Sequence, residues 1–178
     1  MEQNKSIAIR RAEEGDLERI WEIVQQAKRQ LAGLGISQWQ KGYPYKETFA
    51  EDIRLGQAYV AVDGETICGA FAMTDGVEPS YLDIDGKWLT GPDARYMTLH
   101  RGCVADGYKG RGIVGLFFDF VLASAAERGC GSLRIDTHAG NIPMQRALDR
   151  AGFQRCGNIW LVGGSESGDH RVAYELMA

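Results

Sequence analysis

The sequence has few cysteines, and their positions exclude several kinds of site. The four cysteines, Cys68, Cys103, Cys130 and Cys156, lie far apart, form no C-x-x-C pair and stand inside apolar stretches. A disulfide framework is unusual in a chain of this length with so few cysteines. We therefore expect buried free thiols in a reducing compartment, and we expect no metal site.

Long apolar runs and an excess of positive charge are also missing. No run approaches the ~18 apolar residues of a membrane span, and residues 1–16 contain no signal-peptide core. A formal net charge of −4 gives no sign of a protein that binds nucleic-acid backbones. We expect a cytoplasmic protein without nucleic-acid or membrane partners, folded as a single domain over residues 1–178.

Hydrophobic periodicity predicts a mixed α/β sheet in the order β-α-α-β-β-β-α-β-α-β-β, with one internal β-α-β crossover. The predicted strands are 6–11, a hairpin at 57–74, 96–105, 132–138, 154–162 and 170–177; the predicted helices run from 17 to the glycines at 33–35 and cover 46–56, 113–129 and 141–153. Residues 75–94, hereafter the insertion, are irregular. A structureless segment of this length in a compact domain is usually functional.

A glycine-rich loop joins the predicted strand at 96–105 to the predicted helix at 113–129. Residues 110–115, GRGIVG, match the dinucleotide fingerprint G-x-G-x-x-G, and Asp136 follows Gly112 by 24 residues, near the place of the acid in that fingerprint. An NAD-dependent oxidoreductase is therefore one interpretation. Against it, DGYK separates the strand from the first glycine, and little sequence follows for the alternating strands and helices of a nucleotide domain.

The loop has the properties of an anion site under either interpretation. Glycines allow successive backbone N–H groups to face one point, and the start of the following helix adds free N–H groups and its dipole. Lys109 and Arg111 add positive charge. A phosphate or pyrophosphate suits such a loop, and an ordinary glycine-rich connection is the alternative.

Two segments together resemble the GNAT superfamily of N-acetyltransferases. The acetyl-CoA loop of that family reads Q/R-x-x-G-x-G/A, and residues 109–114, KGRGIV, resemble it; Lys109 replaces the usual Gln or Arg, and Val114 the usual Gly or Ala. Residues 141–153, NIPMQRALDRAGF, resemble the last helix of the family, which opens with Asn and closes in Gly-Phe. The stretches HRGCVA, RIDTH and NIPMQ together also resemble one subgroup of the family.

This resemblance implies a GNAT-like fold in which two central strands splay apart to admit acetyl-CoA. The implied cofactor-binding residues are Cys103, Val104, Lys109, Gly110, Arg111, Gly112, Ile113, Val114, Gly115, Asn141 and Met144. A backbone N–H at residues 103–104 would stabilise the developing oxyanion. Asn141 is also a good helix N-cap, and that role is compatible with a contact to the pantetheine arm.

The implied reaction is direct attack of a neutral amine on the acetyl thioester. Many GNAT enzymes protonate the departing thiolate with a Tyr at the position of Leu148, so the usual acid is missing here. Asp136 and His138 stand two residues apart on one predicted strand, and His100 stands on its neighbour. They are candidate catalytic residues if they face the cleft, and a hydrogen-bonded structural role is the alternative for each.

The amine pocket is expected to come from the early helices and the insertion. Trp39 and Tyr43, with Tyr81 and Trp88 of the insertion, are candidate substrate-binding residues that stand near acidic groups. Aromatic and acidic groups together suit a cationic amine, and surface packing of long loops is the alternative.

The predicted function is transfer of an acetyl group from acetyl-CoA to a primary amine; the acceptor is a small-molecule amine or an exposed protein amine, and the small molecule is favoured. A coenzyme-A-binding module with little catalysis comes second, because the usual acid is replaced by Leu148. The NAD-dependent oxidoreductase comes third, and a homodimer is compatible with the resemblance.

Overall fold

The computed structural model of the chain describes residues 6–178 as one eight-stranded sheet with four α-helices. The strands are β1 (Ile7–Arg11), β2 (Ala58–Asp63), β3 (Thr66–Thr74), β4 (Asp85–Gly86), β5 (Tyr96–Val104), β6 (Ser132–Thr137), β7 (Gln154–Trp160) and β8 (His170–Met177); the helices are α1 (Leu17–Gly33), α2 (Lys46–Arg54), α3 (Ile113–Glu127) and α4 (Ile142–Ala151). The predicted order is confirmed, and the insertion contributes one addition, the two-residue strand β4.

The sheet is mixed, in the order β1-β2-β3-β5-β6-β8-β7-β4. Within residues 6–178, β5 and β6 are the only parallel neighbours. A dinucleotide-binding fold needs an open sheet that is mostly parallel. The fingerprint at 110–115 therefore lies outside that fold.

Alternation along the strands divides the buried side chains between two cores. In β2, Tyr59 and Ala61 pack with α3 in one core, whereas Ala58 and Val60 pack with α1 and α2 in the other. Successive strand residues point to opposite faces of a sheet, so the alternation places the two pairs of helices on opposite faces.

The two central strands diverge, as the resemblance implied. Parallel pairing of β5 with β6 covers three positions and ends at Thr98 and Arg134, although β5 continues to Val104 and β6 to Thr137. A β-bulge between Ala70 and Ala72 in the β3–β5 register lies opposite this divergence. Bulges bend a strand and re-aim its residues, and they are frequent beside active sites.

Arg101 holds the bulge in place. Its φ of 53° lies in the left-handed region, which is unusual for a residue other than glycine. The guanidinium makes two hydrogen bonds to the Asp52 carboxylate of α2, of 2.6 and 2.8 Å, and a third, of 3.0 Å, to the Tyr43 hydroxyl. Both members of the ion pair are largely buried, so these contacts fix a backbone conformation that the chain would otherwise avoid.

A buried ion pair between Arg134 of β6 and Glu175 of β8 anchors the insertion to the sheet. Glu175 of β8 is fully buried and accepts hydrogen bonds from the Thr90 hydroxyl at 2.6 Å and from Arg134 Nε at 3.1 Å. The Arg134 guanidinium lies over the rings of Trp88 and Tyr96, 4.2 and 4.0 Å from their centroids. These contacts hold the insertion in place together with the two-residue pairing of β4 with β7.

The cysteines agree with the sequence prediction at three of four positions. All four are free; Cys68, Cys103 and Cys130 are buried, and Cys156 is half-buried. Cys156 lies on β7 next to the short strand β4, which covers that sheet edge over only two residues. In the described range 6–178, none of the helices has the length and apolar character of a membrane span.

Candidate active site

A cavity of about 1020 Å³ opens where β5 and β6 diverge. One side of it, hereafter the glycine-loop side, is lined by the loop before α3 and by one face of α4. The other, hereafter the acidic side, is lined by Glu78, Asp136 and Glu166 together with Trp39 and Tyr43. Cavities of this size lie at the upper limit of common small-molecule sites.

The glycine-loop side contains nearly every residue predicted to bind the cofactor. The predicted residues that line the cavity are Cys103, Val104, Lys109, Gly110, Gly112, Ile113, Val114, Gly115, Asn141 and Met144. Arg111 does not line it, and its guanidinium lies over the Tyr108 ring, 4.6 Å from the centroid. Gly110 and Gly112 each have a φ of 76°, a left-handed conformation that suits glycine. α3 begins directly after Gly112, so the first-turn N–H groups and the positive end of the helix dipole lie at this loop.

Two further cations line the glycine-loop side and were missed in the sequence. Arg146 and Arg150 stand one turn apart on α4, and both line the cavity together with Lys109. Their i, i+4 spacing places them on one helix face, which the sequence could have shown. Partial burial lowers the pKa of Lys109. Three cations around one loop suit a ligand with more negative charge than a single phosphate.

Replacement of either Lys109 or Arg146 by Ala is expected to weaken acetyl-CoA binding about fivefold, since each removes one partly exposed charge contact. The loss should shrink at high salt because exposed charges are screened. Calorimetric titration at two salt concentrations measures both effects. Arg155→Ala is the matched control, because Arg155 is exposed and lies outside the cavity wall; equal losses in all three variants would contradict a local anion site.

Asn141 begins α4 and lines the cavity. Its side-chain oxygen accepts a hydrogen bond of 3.3 Å from the Met144 backbone N–H, and Gly152 ends the helix with a φ of 89°. The predicted N-cap and C-cap are therefore confirmed. The cap fixes the helix start at the cavity wall.

Asn141→Ala is expected to lower the free energy of unfolding by about 1 kcal/mol, the usual cost of losing an N-cap. Asn141→Ser keeps an N-cap oxygen and should preserve most of that stability. Denaturant unfolding and acetyl-CoA titration of both variants separate the two roles. Full ligand affinity in a stably folded Asn141→Ser protein would contradict a contact between the Asn141 amide and the cofactor.

The β5 wall of the cavity offers backbone groups. Beyond Thr98, no residue of β6 pairs with β5, so the edge of β5 that faces the cavity has no strand partner there. The Cys103 thiol is buried, donates to the Ala70 carbonyl oxygen, and has its pKa raised to about 12 by burial. Cys103 is therefore a neutral thiol, and its contribution to the wall comes from its backbone.

Asp136 lies on β6 two residues beyond the last pair with β5, and it lines the acidic side of the cavity. Its Oδ2 accepts a hydrogen bond of 2.6 Å from the Tyr81 hydroxyl. Burial raises the pKa of Asp136, against the opposing effects of this hydrogen bond and of Arg171, while Glu78 and Glu166 raise it further. A carboxylate with a raised pKa is a stronger proton acceptor.

The two candidate histidines occupy different environments. His138 lies outside the cavity wall, because β6 ends at Thr137 and the chain turns; its Nδ1 accepts a hydrogen bond of 2.9 Å from the Gly140 backbone N–H. The expectation that it shares a cavity-facing strand face with Asp136 is corrected accordingly. His100 lines the cavity, with its Nε2 3.5 Å from Glu78 Oε2, and burial lowers its pKa to about 3.

The four candidate aromatic residues also separate into two groups. Trp39 and Tyr43 line the cavity as expected. Tyr81 and Trp88 do not, because they pack in a buried layer behind Asp136 with ring centroids 5.1 Å apart. The prediction that these two line the substrate pocket is therefore corrected.

Two acidic residues of the cavity were missed in the sequence. Glu78 lies in the insertion, and Glu166 lies between β7 and β8. Glu166 accepts hydrogen bonds from the Trp39 backbone N–H at 3.0 Å and from Arg171 Nη2 at 3.2 Å. Both stand in irregular segments, where no periodicity indicates which way a side chain faces.

The described residues hold no cluster of three or more His, Cys, Asp or Glu side chains arranged for a metal ion. The site instead joins an anion-binding loop at a helix start to a gap between diverging strands and to a buried carboxylate. This combination suits an anionic ligand held beside a group that can take up a proton. The chain belongs to the Acetyltransferase (GNAT) family, whose model matches residues 9–153.

Solved structures of acetyltransferases share the fold. A GNAT family acetyltransferase from Streptococcus agalactiae is 31% identical, with a TM-score of 0.85 over 98% of this chain and 96% of that one. A second GNAT family acetyltransferase, from Listeria monocytogenes, is 19% identical, with a TM-score of 0.71 over 97% and 95% of the two chains. Arabidopsis thaliana NAA60, solved in complex with acetyl-CoA, is 16% identical, with a TM-score of 0.67 over 97% and 99%. Comparison with curated proteins gives no match.

Proposed function

We propose that the chain is an acetyl-CoA-dependent N-acetyltransferase that acts on a small cationic primary amine. One observation supports this most directly: a single cavity contains both the glycine loop with its cations and the carboxylate of Asp136. The first group of residues suits the cofactor, and the second suits the amine. Both reactants can therefore be held together, which lowers the entropic part of the barrier.

The residues present fit acetyl-CoA. Gly110 and Gly112 leave the loop backbone open, while Lys109, Arg146 and Arg150 supply positive charge for its phosphates. Acetyl-CoA supplies the activated acetyl group as its thioester.

Asp136 is the proposed proton acceptor. An alkylammonium group must lose its proton to attack, and it does so near pH ~10 in water. Asp136 lies on the acidic side of the cavity, and its raised pKa makes it a stronger proton acceptor for a bound ammonium than an ordinary carboxylate. The backbone N–H groups on the unpaired edge of β5 are placed to stabilise negative charge on a carbonyl oxygen.

Charge on the acidic side favours a cationic acceptor. Two guanidiniums line the cavity near Glu78, Asp136 and Glu166, and each is already in an ion pair: Arg171 with Glu166, and Arg101 with Asp52. His100 does not offset Glu78, because a pKa of about 3 leaves the imidazole neutral at physiological pH. Glu78 therefore keeps an unbalanced negative charge at the cavity wall, close to Asp136.

The test is a thiol-release assay with three primary amines of similar length, whose far ends carry an amino group, a methyl group or a carboxylate. The expected order of kcat/KM is diamine, then alkylamine, then amino acid, with about tenfold between the first and the last, because one like-charge contact is worth at least one factor of ten. Glu78→Gln should reduce the preference for the diamine. A preference for the amino acid would contradict the proposal.

A coenzyme-A-binding module is the second candidate, and one observation favours it. Leu148, at the position where many family members have a Tyr, is fully buried in the core beside α3. No acid stands at that position to protonate the departing thiolate. Binding of acetyl-CoA without turnover of any amine would select this candidate.

The four free cysteines support a reducing compartment such as the cytoplasm.

A further inference from the structure

One carboxylate oxygen of Asp136 accepts a hydrogen bond from the protein, and the other does not. The Tyr81 hydroxyl donates to Oδ2 at 2.6 Å. Among residues 6–178, no group donates a hydrogen bond to Oδ1, and this oxygen is not fully buried. Asp136 lines the cavity, so Oδ1 is the oxygen that can reach a ligand there.

Tyr81 itself cannot contact that ligand. It is 3% exposed, does not line the cavity, and packs between the rings of Trp88 and Tyr96, with centroids 5.1 and 6.3 Å away. Burial and the adjacent Asp136 raise the pKa of Tyr81 well above its ordinary value. The hydroxyl therefore keeps its proton and is a permanent donor to the carboxylate.

We propose that Tyr81 is a positioning residue, which holds Asp136 Oδ2 so that Oδ1 faces the cavity and takes the proton of the amine. This inference rests on the proposed function of Asp136. It gives the insertion a role in the reaction, because Tyr81 is the contact that joins the insertion to the carboxylate. The group acts through Asp136 and does not touch the substrate.

The insertion is built to keep Tyr81 in this place. Trp88 Nε1 donates a hydrogen bond of 3.1 Å to the Tyr81 carbonyl oxygen, which closes the insertion on itself. The next residues are fixed by Glu175, which accepts from the Leu89 backbone N–H at 2.6 Å and from the Thr90 hydroxyl at 2.6 Å. Because Trp88 holds the Tyr81 backbone and the buried Glu175 holds the residues that follow Trp88, the Tyr81 hydroxyl has little freedom to turn away from Asp136.

The charged groups around the pair determine the direction of the expected change. Arg171 lowers the pKa of Asp136, whereas Glu78 and Glu166 raise it. The hydrogen bond from Tyr81 stabilises the ionised form and lowers the pKa. Around the Tyr81 hydroxyl itself, the other titratable neighbours are Glu78 and Tyr96. Removal of the hydroxyl leaves all of these charges in place, so the pKa of Asp136 should rise.

Tyr81→Phe in the full chain tests the inference, and Tyr96→Phe is the matched control. Tyr96 loses a hydroxyl from the same cluster, but that hydroxyl accepts from the Glu78 backbone N–H and does not contact Asp136. Carboxyl NMR titration of the apo protein should show the pKa of Asp136 higher by about 1 in Tyr81→Phe. It should be unchanged in Tyr96→Phe.

The same shift should appear in the pH dependence of acetyl transfer. In Tyr81→Phe, the acidic limb of the kcat/KM profile should move to a pH higher by about 1. At a pH below the limb, kcat/KM should fall about tenfold, and the Kd for acetyl-CoA should be unchanged. An unchanged Asp136 pKa in a folded Tyr81→Phe protein would overturn the inference, and so would a shifted pKa with an unmoved limb. If wild-type protein turns over no amine, the proposed function fails, and the NMR titration still decides whether Tyr81 controls the ionisation of Asp136.

Discussion

Replacement of Gly112 by Asp is expected to weaken acetyl-CoA binding by more than about 100-fold. Gly112 lines the cavity, has a φ of 76° and directly precedes α3. The new carboxylate would occupy the site where the helix start and Lys109 are arranged for an anion, and a like-charge contact of this kind costs several kcal/mol. Calorimetric titration with acetyl-CoA measures the loss directly.

Gly107→Asp is the control for this variant. Gly107 lies in the same loop, has a φ of 83° and would meet no atom within 4 Å of an added Cβ, but it does not line the cavity. The two variants therefore share the added charge and the backbone strain. Near-normal affinity in Gly107→Asp together with lost affinity in Gly112→Asp is the expected pair of results. Retained binding in a folded Gly112→Asp protein would place the cofactor elsewhere.

Replacement of Asp136 by Asn is expected to lower kcat by about 10²–10⁴-fold, the usual contribution of a general base. The Asn amide keeps the size of the side chain but cannot accept the proton of an ammonium group. Acetyl-CoA affinity should be unchanged, since Asp136 lies on the acidic side of the cavity. Steady-state kinetics with the best amine, together with calorimetry, separates catalysis from binding.

Asp169→Asn provides the comparison for the loss of a carboxylate. Asp169 lies near the acidic side but outside the cavity wall, where it forms an ion pair of 2.8 Å with Lys41. It should retain kcat within about twofold, because surface ion pairs contribute little. Comparable kcat values for the two variants, with both proteins folded, would rule out Asp136 as the proton acceptor.

The regular elements of the fold could be predicted because they have strong local signals. Asn141 and Gly152 bracket α4 with an N-cap and a left-handed C-cap, and the apolar face of α1 has helical spacing. The divergence of β5 and β6 could be predicted only from the family resemblance. The sequence has no local signal for the point at which the two strands stop pairing after three positions. The bulge at Arg101 is equally hidden, because a left-handed arginine is held there by Asp52 from a distant helix.

The glycine-loop side of the site was more predictable than the acidic side. Its residues fall mainly in two short stretches, the glycine-rich loop with the start of α3 and one face of α4, so local patterns identify most of them. The acidic side combines β6 with the insertion and the loop after β7, and nothing local indicates that Glu78 and Glu166 meet Asp136 there. His138 was wrongly assigned to the cavity wall, because strand alternation no longer predicts the direction of a side chain after the strand ends at Thr137.

Leu148 stands where the resemblance to the family implies a Tyr that protonates the departing thiolate. The side chain is fully buried and belongs to the apolar core. Asp136, by contrast, is tied to a buried tyrosine that the insertion supplies. The chain thus keeps a candidate proton acceptor in Asp136, while no Tyr stands at position 148 to protonate the thiolate.

Acetyl transfer to an amine can be measured directly with the purified protein. Purified protein is incubated with acetyl-CoA and a short diamine, and free thiol and acetylated amine are both measured over time. We expect equal amounts of the two products, formed at a rate that depends on enzyme concentration and is abolished by Gly112→Asp. Tight binding of acetyl-CoA with no acetylated product from any primary amine would contradict the proposed function, and would leave a coenzyme-A-binding module.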